Sequence, residues 1–355
     1  MAESAKAPEQ EAQPQAAQST DAGPQQSQPQ PIVPDQNIEV DARVTDNDSS
    51  YGQDLSTYTA SLTSSVLDYR KENGRTYHGY RDGNYLLPND ETELDRLDMM
   101  HEMFLTSMDR KPFFAPIGPS PQRVHDVGTG SGMWAIQFAE QYPSAEVIGS
   151  DLSPSQPSMV PPNVRFIIDD VEDDWVDEDD PYDFIHSRFL SFSIKDFPKL
   201  IKECYKCTKP GGWVEFQDFD ATCRSEDGTT VGAAIEDYYR LIIDGFESQG
   251  YDTRPGPKLE GWFRDAGFVD VKAEKIRLPL GTWPKDKRFK TIGAWNLMQV
   301  ESGFEAAAMA LLTRFHGWST DEVKILAART LKDARDRSIH PVFHFWVVYG
   351  RKPEA

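Results

Sequence analysis

The chain is poor in cysteine, in long apolar runs and in positive charge. Cys204, Cys207 and Cys223 are the only cysteines among 355 residues. They are too few for the disulfide scaffold of a secreted domain and fit a reducing compartment. No uninterrupted apolar stretch reaches the roughly 20 residues of a membrane-spanning helix. The initial Met-Ala-Glu-Ser-Ala-Lys lacks the apolar core of a secretion signal. The expectation is a protein without membrane contact, cytoplasmic, with the nucleus as the alternative. Lys and Arg number 37 against 58 Asp and Glu, a net charge of -21. A surface that grips phosphates must be basic, so direct nucleic-acid binding is not expected.

Two local clusters invite chemistry and yield little. Cys204 and Cys207 form a C-x-x-C, but Phe197, Leu200, Ile201, Cys204 and Tyr205 recur at helical spacing. That places the thiols in a core, and no second C-x-x-C completes a zinc site. The acids over 169–183 lack the spacing of a calcium loop and read as a solvated segment. No metal is expected.

The chain divides into three regions. Residues 1–50, rich in Gln, Ala, Pro, Ser and Asp, cannot bury enough apolar surface to offset the entropy of ordering and are expected to be a disordered tail. Residues 51–118 read as a helical N-terminal cap. One helix is expected over 57–71, from Leu62, Val66 and Tyr69, and a second follows Asn89-Asp90, carrying Leu94, Leu97, His101 and Phe104 on one side. Residues 119–355 alternate strand and helix. Strands are expected over 123–127, 146–150, 164–168, 182–186, 213–219, 269–276 and 344–350. Helices are expected over 134–141, 197–207, 231–248, 259–266 and 292–315, with helical insertions around 229–266 and 283–335. This is the pattern of an α/β fold with a mainly parallel sheet.

The chemistry concentrates at the first of these strands. It delivers the chain into Asp126-Val127-Gly128-Thr129-Gly130-Ser131-Gly132, where glycines permit positive φ and close approach of a ligand to the backbone. The following helix opens at that loop, so its free N–H groups face the same ligand. Asp151 ends the second strand, where an acid can accept hydrogen bonds from both ribose hydroxyls of a nucleoside. Asp169-Asp170 ends the third. The spacing is G-x-G-x-G rather than the G-x-G-x-x-G that seats a pyrophosphate. Asp126, two residues before the first glycine, would repel phosphate but suits a cationic amino-acid end. S-adenosylmethionine carries an ammonium, a carboxylate and a sulfonium, and it fits better than a dinucleotide.

The segment from Val124 through Ile136 resembles motif I of class I methyltransferases, and more narrowly the fungal LaeA-like methyltransferases, relatives of a regulator of secondary metabolism. The likeness continues in Tyr85-Leu86-Leu87-Pro88-Asn89-Asp90, in Gly149-Ser150-Asp151-Leu152-Ser153-Pro154 and in Lys209-Pro210-Gly211-Gly212-Trp213-Val214-Glu215. His125 departs from it, standing where an apolar residue is usual. The resemblance implies a Rossmann-like fold, with a seven-stranded, mostly parallel sheet whose last strand is inserted antiparallel. It implies S-adenosylmethionine as cofactor and a small-molecule acceptor or, for a regulator, protein partners. Asp126, Gly128, Thr129, Gly130 and Gly132 would line the methionine end. Asp151 and Leu152 would hold the ribose and adenine, and Asp170 and Val171 the adenine edge. His186, Ser187 and Arg188 would stand where the methyl group points.

Methyl transfer needs alignment above all, and a general base only if the acceptor must lose a proton. His186 is the first candidate base from its strand-end position, and His101 the second; a scaffold histidine held by hydrogen bonds is the competing role for each. Arg188 is placed to bind a carboxylate. Tyr77, Tyr80, Tyr85, Trp283, Trp295, Trp318 and Trp346 are candidates for the wall of an aromatic acceptor pocket.

Overall fold

A computed structural model describes Met1, residues 69–81, Gly83 and residues 85–354. The tail expected over 1–50, and 57–68 of the first expected helix, lie outside the described residues. The end of that helix is a correction. Arg70–Glu72 is strand β1, paired antiparallel with β2 (Arg75–Tyr77) through Asn73 and Gly74, both at positive φ. Asn-Gly is the dipeptide that two-residue hairpins favour, and this local turn overrides the apolar spacing upstream.

Helix α1 (Glu91–Ser107) begins where Asp90 accepts the Glu93 N–H at 3.1 Å, with Glu91 and Glu93 at the positive end of the helix dipole. Strand and helix then alternate as β3 (Arg123–Val127), α2 (Met133–Gln141), β4 (Glu146–Asp151), β5 (Val164–Ile168), β6 (Tyr182–Arg188) and α3 (Phe197–Cys207). After these come β7 (Thr208–Arg224), α4 (Ala234–Ser248), α5 (Gly256–Ala266), β8 (Val269–Pro279), α6 (Lys287–Phe315), α7 (Thr320–Arg335) and β9 (Val342–Arg351). Two boundaries move for identifiable reasons. Helix α6 starts at Lys287 rather than 292 because Asp286 caps it, accepting the Phe289 N–H at 2.9 Å. Strand β7 starts at Thr208, and Lys209-Pro210-Gly211-Gly212 forms an irregularity where pairing jumps from Tyr182–Thr208 to Phe184–Trp213.

The main sheet has the order β5-β4-β3-β6-β7-β9-β8. The strands from β3 to β7 pair in parallel, and β9 runs antiparallel to both β7 and β8. The expected seven-stranded Rossmann-like sheet is present. Strand order reverses between β3 and β6, and such a switch point opens a crevice at the carboxyl ends of the strands. The two faces follow the period of two. Val124, Val147 and Phe184 pack with Trp134 and Phe138 of α2 on one face. Ile148, Ile185 and Val214 pack with Leu200, Ile201 and Cys204 of α3 on the other. Cys204 and Cys207 are thus packing thiols, and burial raises the pKa of both. His125 is accommodated by a hydrogen bond to Ser150 Oγ at 2.8 Å and by the rings of Trp175 and Tyr182, with burial lowering its pKa to about 4. Among the described residues no helix is long and apolar enough to cross a membrane.

Candidate functional site

Register brings the strand tips together. Asp126 on β3 lies opposite Gly149 of β4 and His186 of β6, and Asp151 ends β4 opposite Ile168 of β5. The loop between β3 and α2 turns on Gly128, Gly130 and Gly132, at φ +66°, +59° and +82°. Thr129 N–H donates to the Ser150 carbonyl at 2.9 Å, and the Gln156 amide donates to the Gly130 carbonyl at 2.7 Å. Helix α1 and the loop after β6 cover these tips, leaving a cleft of about 1070 Å³ including its mouth.

Most of the residues expected at the site line this cleft: Asp126, Gly128, Thr129, Gly130, Asp151 and Leu152, then Asp170, Val171 and Arg188, with both His101 and His186. Gly132 and Ser187 do not. A Cβ on Gly132 would come within 2.5 Å of the Phe166 ring, so that glycine serves packing where α2 begins. Ser187 follows His186 on a strand and points to the opposite face. Of the seven aromatics proposed as pocket walls, only Tyr85 reaches the cleft.

The strand-tip acids differ in their partners. Asp126 accepts from Thr129 Oγ1 at 2.6 Å and from His186 Nδ1 at 2.8 Å. Asp151 accepts the Gly130 N–H at 2.9 Å and the Ser153 N–H at 3.0 Å, yet has no cationic partner, and burial pushes its pKa up to about 6. Asp170 is paired with Arg81 at 2.8 Å, and Arg81 also binds Asp173, so the segment before α1 is strapped across this rim.

The two histidines are held on both sides. His186 is fully buried, stacked on Trp134 with ring centroids 3.7 Å apart and planes within 2°. It follows Phe184 by two residues and therefore faces α2. Its Nδ1–H serves Asp126, while Nε2 is buried without a hydrogen-bond partner. Burial lowers its pKa despite Asp126. His101 Nδ1 accepts from Arg188 Nη2 at 2.6 Å, which leaves Nε2–H to donate to Gln137 Oε1 at 3.0 Å. Burial, then the charge of Arg188, brings its pKa down to about 3. His101 thus has both ring nitrogens engaged, whereas His186 Nε2 keeps a lone pair without a partner among the described residues.

Arg188 is the unusual group. It lies over the Phe104 ring at 5.0 Å; among the described residues Asp126 and Glu215 act on it through space but no carboxylate pairs with it, and its Nη1 is buried without a partner. Burial brings its pKa down to about 10. A buried guanidinium lacking an anion is costly, and a ligand carboxylate in the cleft would complete it. The site can thus take a molecule with an anionic end near Arg188 and hydroxyl donors near Asp151.

Several contributors escape sequence reading. Trp134 and Met100 carry no signal beyond helical apolar spacing. Glu215 and Asp218 on β7 are nearly or fully buried acids, and burial pushes the pKa of each to about 7. Asp218 accepts the N–H groups of Leu190 and Ser191 at 2.9 and 3.1 Å, and so holds the loop after β6. A run of apolar and acidic residues in 213–220 was the available sign, but strand alternation does not distinguish a buried acid from a solvated one.

Known proteins resemble the chain over most of its length. The family model described as a methyltransferase domain matches residues 99–273. Methyltransferase pytC of Aspergillus terreus is 41% identical over 318 residues, covering 89% of this chain and 95% of its own. A secondary metabolism regulator of Cochliobolus heterostrophus is 35% identical over 294 residues, covering 80% and 94%. Protein-methionine methyltransferase laeA of Emericella nidulans is 31% identical over 290 residues, covering 80% and 77%.

Proposed function

The chain belongs to the LaeA-like S-adenosylmethionine-dependent methyltransferases, and from that premise we propose that it methylates a small-molecule metabolite, with the cofactor held at the tips of β3, β4 and β6. The observation that carries the placement is the unpaired guanidinium of Arg188 in a cleft whose other walls are strand-tip acids. The residues present fit the cofactor. Arg188 Nη1 would take its carboxylate, Asp126 its ammonium end, and Asp151 its ribose hydroxyls. Leu152 and Val171, with Asp170 held by Arg81, would border the adenine. When bound, S-adenosylmethionine supplies an electrophilic methyl group on sulfonium, which an acceptor lone pair takes as the C–S electron pair returns to sulfur.

The protein's own part in that transfer is alignment and exclusion of water. His186 keeps Asp126 oriented from behind, clamped by Trp134. His101 keeps Arg188 in place through the lone pair on Nδ1. We assign His101 a positioning role, because both of its ring nitrogens are engaged; His186 orients Asp126 through Nδ1 and keeps Nε2 as the base for an acceptor that must lose a proton.

The name of one relative favours a second reading. A thioether needs no deprotonation, and the Emericella nidulans relative is named a protein-methionine methyltransferase. On this reading the chain acts on protein partners as a regulator, in the nucleus rather than the cytoplasm. The relative at 41% identity, a methyltransferase without a regulator's name, favours the metabolite. The test begins with calorimetry of the purified protein against S-adenosylmethionine and NAD; saturable binding of the first alone is expected, and preference for NAD overturns the cofactor placement. Metabolite extracts from deleted and wild-type cells then separate the two acceptors. Loss of one methylated compound with accumulation of its precursor supports the metabolite, and broad change in metabolite levels without a precursor supports the regulator.

A further inference from the structure

A second cavity, about 730 Å³ including its mouth, adjoins the cofactor cleft, and Met100 and Phe189 line both. Its walls carry several rings, among them Phe192, Phe219, Tyr238, Phe304 and Phe343. Two of the wall residues sit in costly backbone. Phe189 and Phe192 have φ of +59° and +72°, a region that bulky residues rarely occupy. The conformation persists because the loop is over-determined. Phe189 N–H donates to the Gln217 carbonyl at 2.9 Å, Phe192 N–H to the Asp252 carbonyl at 3.2 Å, and Asp218 takes the two N–H groups between. Strain held in this way concentrates at ligand sites.

The charge at this cavity is already neutralised. Arg96 is bound by Glu93 at 2.5 and 2.9 Å, and its Nη1 reaches Met100 Sδ and Gln299 Oε1. Gln299 donates to Asn296, and Asn296 donates to the Pro279 carbonyl, each at 2.9 Å. Tyr238 donates its hydroxyl to the Phe304 carbonyl at 2.7 Å. Within the described residues the Tyr239 hydroxyl, also at the wall, makes no hydrogen bond.

We propose that this cavity receives the methyl acceptor, an uncharged, flat, largely apolar molecule bearing an oxygen or nitrogen that pairs with the Tyr239 hydroxyl. This rests on the methyltransferase reading above. Rings on the walls select a flat apolar body, the closed Glu93–Arg96 pair leaves no counter-charge for an ion, and the shared Met100 and Phe189 put the occupant one side chain from the cofactor.

The probe is 2-naphthol, followed by its own fluorescence, with naphthalene-2-sulfonate as the charged comparison. Wild-type protein is expected to bind 2-naphthol saturably and the sulfonate at least about tenfold more weakly. Ala307→Phe, which fills the cavity from α6, is expected to weaken 2-naphthol at least about tenfold, and Tyr239→Phe by about three- to tenfold. S-adenosylhomocysteine binding, read by calorimetry, should be unchanged in both. Absence of saturable 2-naphthol binding, preference for the sulfonate, or unchanged 2-naphthol affinity in Ala307→Phe overturns the proposal. Should that variant fail to fold by circular dichroism, unchanged affinity in Tyr239→Phe does so instead. If wild-type protein takes 2-naphthol in this pattern yet ignores S-adenosylhomocysteine, the cavity stands as a ligand site and the cofactor placement fails.

Discussion

Replacing Arg188 by Met should move stability and ligand affinity in opposite directions. The guanidinium is buried without an anion in contact among the described residues, and burial brings its pKa down to about 10. A pKa depressed in the folded state means that folding disfavours the charged form. The penalty is fully present below pH 10, and stability rises only as pH climbs from the folded value toward the unfolded one. At neutral pH that penalty is about 3 kcal/mol. Methionine removes the buried charge and keeps the apolar stem over Phe104. Against this, His101 Nδ1 loses its donor, at a cost of about 1–2 kcal/mol. The net expectation is a ligand-free protein more stable by roughly 1–2 kcal/mol, or a rise in Tm of a few degrees. Affinity for S-adenosylhomocysteine should fall by about 2–4 kcal/mol, the scale of truncating one partner of a buried charge pair. Calorimetric melting of the ligand-free protein and titration with S-adenosylhomocysteine read the two effects separately. A variant that melts lower, or that binds as well as wild type, refutes the assignment of Arg188 to an absent anion.

Two further outcomes follow from the cleft. Asp151, with its pKa pushed up to about 6, accepts ribose hydroxyls best when ionised. Affinity for S-adenosylhomocysteine should therefore decline as pH drops through about 6, and Asp151→Asn should bind about 1–3 kcal/mol more weakly without that pH dependence; titrations at pH 5, 6 and 7.5 decide it. The glycines should separate by role. Gly132→Ala meets the Phe166 ring at φ +82° and should lower stability by about 2–4 kcal/mol. Gly130→Ala finds only Leu97 Cδ1 at 3.1 Å, and should cost about 1–2 kcal/mol in denaturant melts but lose cofactor binding. Equal stability losses for the two would show that the loop is purely structural.

The physical account of this site turns on which polar groups have partners, and that differs from residue to residue in ways a motif does not encode. Asp126 and Asp151 both end strands beside glycines, yet one is bound to an imidazole and the other to backbone N–H groups alone. Gly132 belongs to the motif by spacing but to the packing against β5 by contact. The expectation that His186 and His101 act as bases rested on chain position. Position is legible in a sequence, but the occupancy of each ring nitrogen is not.

Sequence alone determined the sheet, the loop and the cofactor. Apolar period, glycine φ requirements and strand-end acids are local properties, set by residues within a few positions of each other. The Asn73-Gly74 turn and the early start of α6 at the Asp286 cap are local as well, but apolar spacing outweighs them as a signal. Tertiary structure decided the rest. Trp134 meets His186, Arg96 meets Gln299, and Phe189 meets Phe219 across 30 to more than 200 residues of chain. Those contacts depend on how α1 and α6 pack over the strand tips. Burial, and with it the pKa and partner of every ionisable group in the cleft, is a property of that packing, not of any one segment.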